Sequence, residues 1–167
     1  MQEKIVSSTP DKWDNHFLQM ALLNARLSKD PSTKVGAIIT TRDRDFISAG
    51  FNGLPRKLED TKERLNNRET KLLLTVHAEM NAVLAAAKLG IKINNCIMYI
   101  VATDKSGEIW GGPPCHRCLV EILQTGISKI ITYEQKSVPT KWEESLRLSK
   151  ELIKEAGLEY KEIKLEI

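Results

Sequence analysis

The sequence has only three cysteines in 167 residues, and they are unevenly placed: Cys96 stands alone, while Cys115 and Cys118 lie together. An odd, uneven set excludes a disulfide framework, and in a reducing compartment the close pair reads as metal or redox chemistry. Long apolar runs are missing as well. None approaches the length of a membrane span, so no membrane partner is expected. Residues 1–10 are polar and lack a secretory core, which points to the cytoplasm. Nor is there a strong excess of either charge. Lys plus Arg is 25 and Asp plus Glu is 22, a formal net charge of +3. That mild balance suits an anionic small molecule and falls short of the concentrated basic face that DNA or RNA demands, so no nucleic-acid partner is expected. Repeats, low-complexity tracts and linkers are also lacking. The chain is 41% hydrophobic and 28% charged, and residues 1–167 are expected to form one domain with its own core.

The elements follow from spacing and punctuation. Thr9 and Pro10 read as cap and first residue of a helix, with Trp13, Phe17, Met20, Leu23 and Leu27 as its core-facing stripe. Lys29-Asp30-Pro31 ends it. Residues 35–40 and 46–51 read as a hairpin around a polar turn. The charged stretch 52–71 is too long for a structureless loop, so it is either functional or partly helical. A helix over 77–89 stops at Gly90, and a strand over 96–103 follows. A Gly/Pro-rich loop then leads to a helix over 115–125 that stops at Gly126. A strand over 127–133, a helix over 142–156 and a strand over 158–165 complete the chain. This order predicts an α/β fold with helices packed on the faces of a mixed sheet.

Two motifs carry chemistry, each where a loop enters a predicted helix: His77-Ala78-Glu79, and Pro113-Pro114-Cys115-His116-Arg117-Cys118. Cys115 and Cys118 are three apart, so they share a helix face in its first turn, where the helix dipole favours thiolate. A cysteine pair alone fits a redox dithiol or half of a structural zinc site. A structural site needs four protein ligands, however, and Cys96 reads as core. His16 lies in the first helix and His116 points off the shared face, which leaves His77. One histidine and two cysteines leave a fourth position for water, the pattern of a catalytic zinc. Glu79 is close enough to face the metal without ligating it. One carboxylate there can take a proton from water and later give one to a leaving amine. The arrangement matches the H-x-E…P-C-x-x-C signature of zinc deaminases.

On these motifs the chain resembles the cytidine deaminase superfamily and, within it, the deoxycytidylate (dCMP) deaminases. The segment Ser28-Lys29-Asp30-Pro31-Ser32-Thr33-Lys34-Val35-Gly36-Ala37, the turn Gly50-Phe51-Asn52-Gly53-Leu54-Pro55 and the start His77-Ala78-Glu79-Met80-Asn81-Ala82 are similar to that family's in order and kind. The resemblance implies a three-layer α/β/α fold on a sheet of about five strands. It further implies one catalytic Zn2+ on His77, Cys115 and Cys118, with Glu79 as the proton carrier, and hydrolytic deamination of free dCMP to dUMP in pyrimidine deoxynucleotide metabolism. Ala78 and Pro114 are expected along the base edge, and Asn52 at the sugar or base. Arg26, Ser32, Lys34 and Arg117 are phosphate candidates, and each is equally readable as a solvated surface residue. Trp110 and Tyr133 could border the nucleotide or simply pack in the core.

Activity on dCTP, a homohexamer, and dCTP or dTTP effectors with Mg2+ also come with the resemblance. The turn departs from the family where Lys57 stands in place of a second glycine, which leaves effector control open. Arg56, Lys57, Lys62, Arg64, Arg68 and Lys71 are interleaved with acids and read as a solvated loop rather than an effector site. Two rival functions stay open. One is a deaminase of bases in tRNA or single-stranded DNA; the other is a non-catalytic domain that keeps zinc for folding.

Overall fold

The computed structural model describes residues 11–136 and 138–165. Its order is α1 (Lys12–Ala25), β1 (Thr33–Thr40), β2 (Phe46–Phe51), α2 (Lys62–Asn66), α3 (Arg68–Leu74), α4 (Ala78–Leu89), β3 (Ile97–Asp104), α5 (His116–Thr125), β4 (Lys129–Tyr133), α6 (Thr140–Ala156) and β5 (Glu159–Ile163). One five-stranded sheet runs β2-β1-β3-β4-β5. β1 is antiparallel to both β2 and β3, whereas β3, β4 and β5 are parallel. This is the expected three-layer α/β/α arrangement on a mixed sheet.

Alternation along the strands sorts two cores. Ala37, Ile39, Met98, Ile100 and Ile130 face α4, α5 and α6, while Ile38, Tyr99, Val101, Ile131 and Tyr133 face α1. Helix α1 is capped by Asp11, whose side chain accepts from the Trp13 N–H at 3.3 Å. The expected cap at Thr9 and Pro10 lies outside the described residues. Its buried stripe is Phe17, Leu18, Ala21 and Ala25, and Leu23 and Leu27 are exposed instead of facing the core. Alanines take the inner face because the helix rides close on β1: a Cβ on Gly36 would stand 2.0 Å from the Ala21 carbonyl oxygen. Two polar devices tie this layer down. Asp14 accepts from the Tyr99 hydroxyl at 3.1 Å and pairs with Lys161 at 2.8 Å.

The charged stretch is partly helical, as α2 and α3. Lys57, where the family's glycine is expected, has φ of 73°. The turn therefore keeps a glycine conformation that costs a side chain about 1 kcal/mol.

The opposite layer positions the site. A Cβ on Gly50 in β2 would stand 2.1 Å from the Ala78 carbonyl oxygen and 2.4 Å from the Ala82 nitrogen. Helix α4 is pinned there by Ser48 Oγ, which donates to Ala82 O at 2.8 Å, and by Asn81 Nδ2, which donates to Phe51 O at 2.7 Å. Gly50→Ala must push the first turn of α4 off the sheet, and it is expected to lower stability by about 1–3 kcal/mol. A urea melt reads that loss, and a parallel fall in zinc content would show that the displaced turn carries a ligand.

Candidate active site

Two helix starts converge on one point. His77 is the N-cap of α4 and Cys115 the N-cap of α5, and neither uses its side chain as a cap. Both side chains are thus free for other work, beside the positive ends of two helix dipoles. Cys118 follows in the first turn of α5, buried at 2% exposure. Its approach is held from α6: Ser149 Oγ donates to the Pro114 carbonyl at 2.7 Å, and the His116 N–H donates to Ser145 Oγ at 3.1 Å.

The His77 Nδ1 lies 3.3 Å from the Cys118 sulfur and 3.5 Å from the Cys115 sulfur, and the three donor atoms all fall within 4.8 Å of one another. Tetrahedral zinc, with bonds of about 2.3 Å to sulfur and about 2.0 Å to nitrogen, needs such N and S donors ~3.5 Å apart. The donor set and its spacing therefore fit zinc. Among the described residues, this is the group of His, Cys, Asp and Glu able to hold a metal. Cys96 is buried and lies one residue before β3 rather than within it.

Within the cluster, hydrogen bonding by Cys118 and His77 draws the Cys115 thiol down to about 4. The same contact with Cys115 holds the His77 imidazole up to about 9. Cys118 is pushed up by its hydrogen bond to Cys115 and by burial, so one sulfur of the pair carries the charge. Glu79, in the first turn of α4, is 4% exposed. Burial raises its carboxyl, and the neighbouring Cys115 charge adds to the rise.

His77, Cys115 and Glu79 form one end of a cavity that also touches Asn52, Trp110 and Pro114. Ala78 is fully buried behind them. Asn52 has both ends of its amide on β1: Nδ2 donates to Thr33 O at 2.9 Å, and Oδ1 accepts from the Val35 N–H at 2.8 Å. It shapes the cavity wall and keeps one further donor and acceptor to offer. Ser32 lines the cavity. Arg26, Lys34, Arg117 and Tyr133 do not. Lys34 Nζ instead donates to the Ser28 carbonyl, and Arg26 and Arg117 are exposed. Tyr133 points to the α1 face by strand alternation and accepts there from Gln19 Nε2 at 3.1 Å.

Sequence reasoning missed Asp30, Thr75, Lys141 and Trp142, which also line the cavity. They come from loops and helix ends whose approach no local pattern encodes. Lys71, which its interleaved acidic neighbours mark as solvated, has a side chain only 12% exposed because it pairs with Asp30.

Residues 11–134 match a family described as the cytidine and deoxycytidylate deaminase zinc-binding region. An uncharacterized deaminase from Aliivibrio fischeri is 38% identical over 157 residues, covering 93% of this chain and 97% of the relative. The deoxycytidylate deaminase of Mus musculus is 30% identical over 155 residues, covering 90% of this chain and 79% of the relative. Among solved structures, the dCMP deaminase of cyanophage S-TIM5, in complex with dCMP and dUMP, superposes with a TM-score of 0.65. It is 20% identical and covers 93% of this chain and 99% of that one. This last likeness bears on the fold.

Proposed function

The chain belongs to the cytidine and deoxycytidylate deaminase family, and on that premise we propose that it hydrolyses free dCMP to dUMP and ammonia. The observation that carries this is the fit of the His77, Cys115 and Cys118 donors to zinc, with a buried acid beside them lining the same cavity. Zinc held there would lower the pKa of a water molecule, making a nucleophile for the amine-bearing C4 of cytosine. Glu79 takes the proton from that water at its carboxylate. It delivers that proton to the ring nitrogen, then takes the second proton of the same water from the new C4 hydroxyl and passes it to the amine, so that the C4–N bond breaks, ammonia leaves and C4 becomes a carbonyl. Burial serves this role, because a carboxyl raised above its ordinary range is a stronger base toward water and can still return the proton as an acid. Trp110 and Pro114 wall the base apart from bulk water, and Asn52 offers its free amide valences to the sugar or base edge.

In this reading Glu79 also separates catalysis from a zinc-stabilised fold, since a purely structural site has no use for a buried acid that ligates nothing. The enzyme would supply dUMP to cytoplasmic deoxynucleotide synthesis. Leu84, Leu89 and Val120 are exposed on α4 and α5, which supports a homo-oligomer such as the family's hexamer. Response to dCTP or dTTP with Mg2+, and turnover of dCTP itself, are carried by the family resemblance alone.

The test is ammonia release from a panel of dCMP, CMP, dCTP, deoxycytidine and a single-stranded oligonucleotide. The expected result is the highest kcat/KM on dCMP and none on the oligonucleotide. Preference for the oligonucleotide would replace the reading by a polynucleotide deaminase.

A further inference from the structure

The cavity that ends at Glu79 continues into a second groove bordered by Leu65 and Arg68; Ser32, Lys71, Lys141 and Trp142 line both. Lys71 stands at the junction. Its side chain is 12% exposed and lies 3.0 Å from Oδ1 of Asp30, itself 10% exposed. An ammonium has three donors. Lys71 directs one to Asp30 and one to Ser32 Oγ at 3.3 Å, and the third is uncommitted. Asp30 is fixed from the other side. The same oxygen accepts from the Ser32 N–H at 2.8 Å and the Thr33 N–H at 3.1 Å, which binds it to the start of β1.

The carboxylate therefore holds the lysine in place without using all of it. Lys141 is exposed at the start of α6, and neither it nor Arg68 makes an ion pair among the described residues. Apart from Glu79, the cavity and the groove that continues it are thus lined by three cations, Lys71, Lys141 and Arg68, against one carboxylate, Asp30, and Glu79 does not reach the groove. A nucleotide monoester brings about two negative charges and three acceptor oxygens, and such a ligand matches this surplus of donors.

We propose that Lys71, held by Asp30, is the specificity-determining residue that receives the 5′-phosphate, flanked by Lys141 and Ser32, and so makes a nucleotide rather than a nucleoside the substrate. This rests on the deamination of dCMP proposed above. Asp30 is a positioning residue. It keeps the half-buried ammonium compensated in the free enzyme and aims its remaining donor.

The test uses zinc-loaded Lys71→Gln, together with the double variant Asp30→Asn, Lys71→Gln, which leaves no unpaired buried charge. In both, kcat/KM on dCMP is expected to fall about 10- to 100-fold, mainly through KM. On deoxycytidine the fall should be far smaller. Lys71→Arg should recover most of the loss, and dUMP binding read by calorimetry should weaken by the same factor as dCMP turnover. Equal losses on dCMP and deoxycytidine, or no loss on either, would overturn the assignment of Lys71. A wild-type enzyme that prefers deoxycytidine, or acts on neither, would remove the dCMP reading and this proposal together. A wild type that prefers dCMP while Lys71→Gln is unaffected would remove this proposal alone.

Discussion

Glu79→Gln is expected to lower kcat by about 10³- to 10⁴-fold, with zinc content unchanged. General acid–base catalysis by one group contributes ~10²- to 10⁴-fold, and in the proposed reaction Glu79 serves as both base and acid in a single turnover, so the upper range applies. Zinc stays because the donors are His77, Cys115 and Cys118. The fold should not suffer. Glu79 is 4% exposed and is in no ion pair among the described residues, so its charged form is costly where it sits. A neutral amide of the same shape removes that cost, and the melting temperature should hold or rise. Stopped turnover, full metal and equal or greater stability together identify a group kept for chemistry at the expense of stability. Undiminished turnover would show that Glu79 carries no proton.

The His77, Cys115 and Cys118 metal cluster, with Glu79 beside it, was legible in the sequence because its geometry is local. Cys115 and Cys118 are brought together by one helical turn and Glu79 follows His77 by two positions; only the meeting of the two helix starts needs the sheet face on which both helices pack. The succession of helices and strands along the chain was legible for the same reason, with Gly90 and Gly126 stopping their helices in the left-handed conformation at φ of 68° and 78°. What was not legible depends on distance in the chain. Tyr133 looked available as a strand-end aromatic, but strand parity turned it onto the α1 face. Lys71 looked solvated beside its acidic neighbours, but it is paired with Asp30, 41 residues away. The α1 stripe misled because large residues at helical spacing outweighed Ala21 and Ala25, whose smallness is what lets the helix meet Gly36.

Zinc affinity should rise steeply with pH, by about 100-fold per unit across the neutral range, and about two protons should be released for each zinc bound at pH 7. The count follows from the cluster. Cys115, drawn down to about 4 by Cys118 and His77, is already a thiolate in chelated protein at that pH. His77, held up to about 9 by Cys115, is an imidazolium and must lose its proton to bind metal through Nδ1. Cys118, raised by its hydrogen bond to Cys115, is a thiol and must lose one as well. Binding is therefore opposed by two protons between about 4 and about 9, and below about 4 Cys115 adds a third. Because zinc binds the folded chain, holoenzyme stability should follow the same sign and fall as pH falls. Calorimetry in buffers of different ionisation enthalpy measures the released protons directly. A count near zero at pH 7 would mean that the cluster does not share its protons in this way. The acid loss of activity then divides cleanly. Where zinc leaves with the activity, the ligands are titrating; where zinc remains while turnover declines, Glu79 is taking up the proton that it must lack to accept one from water.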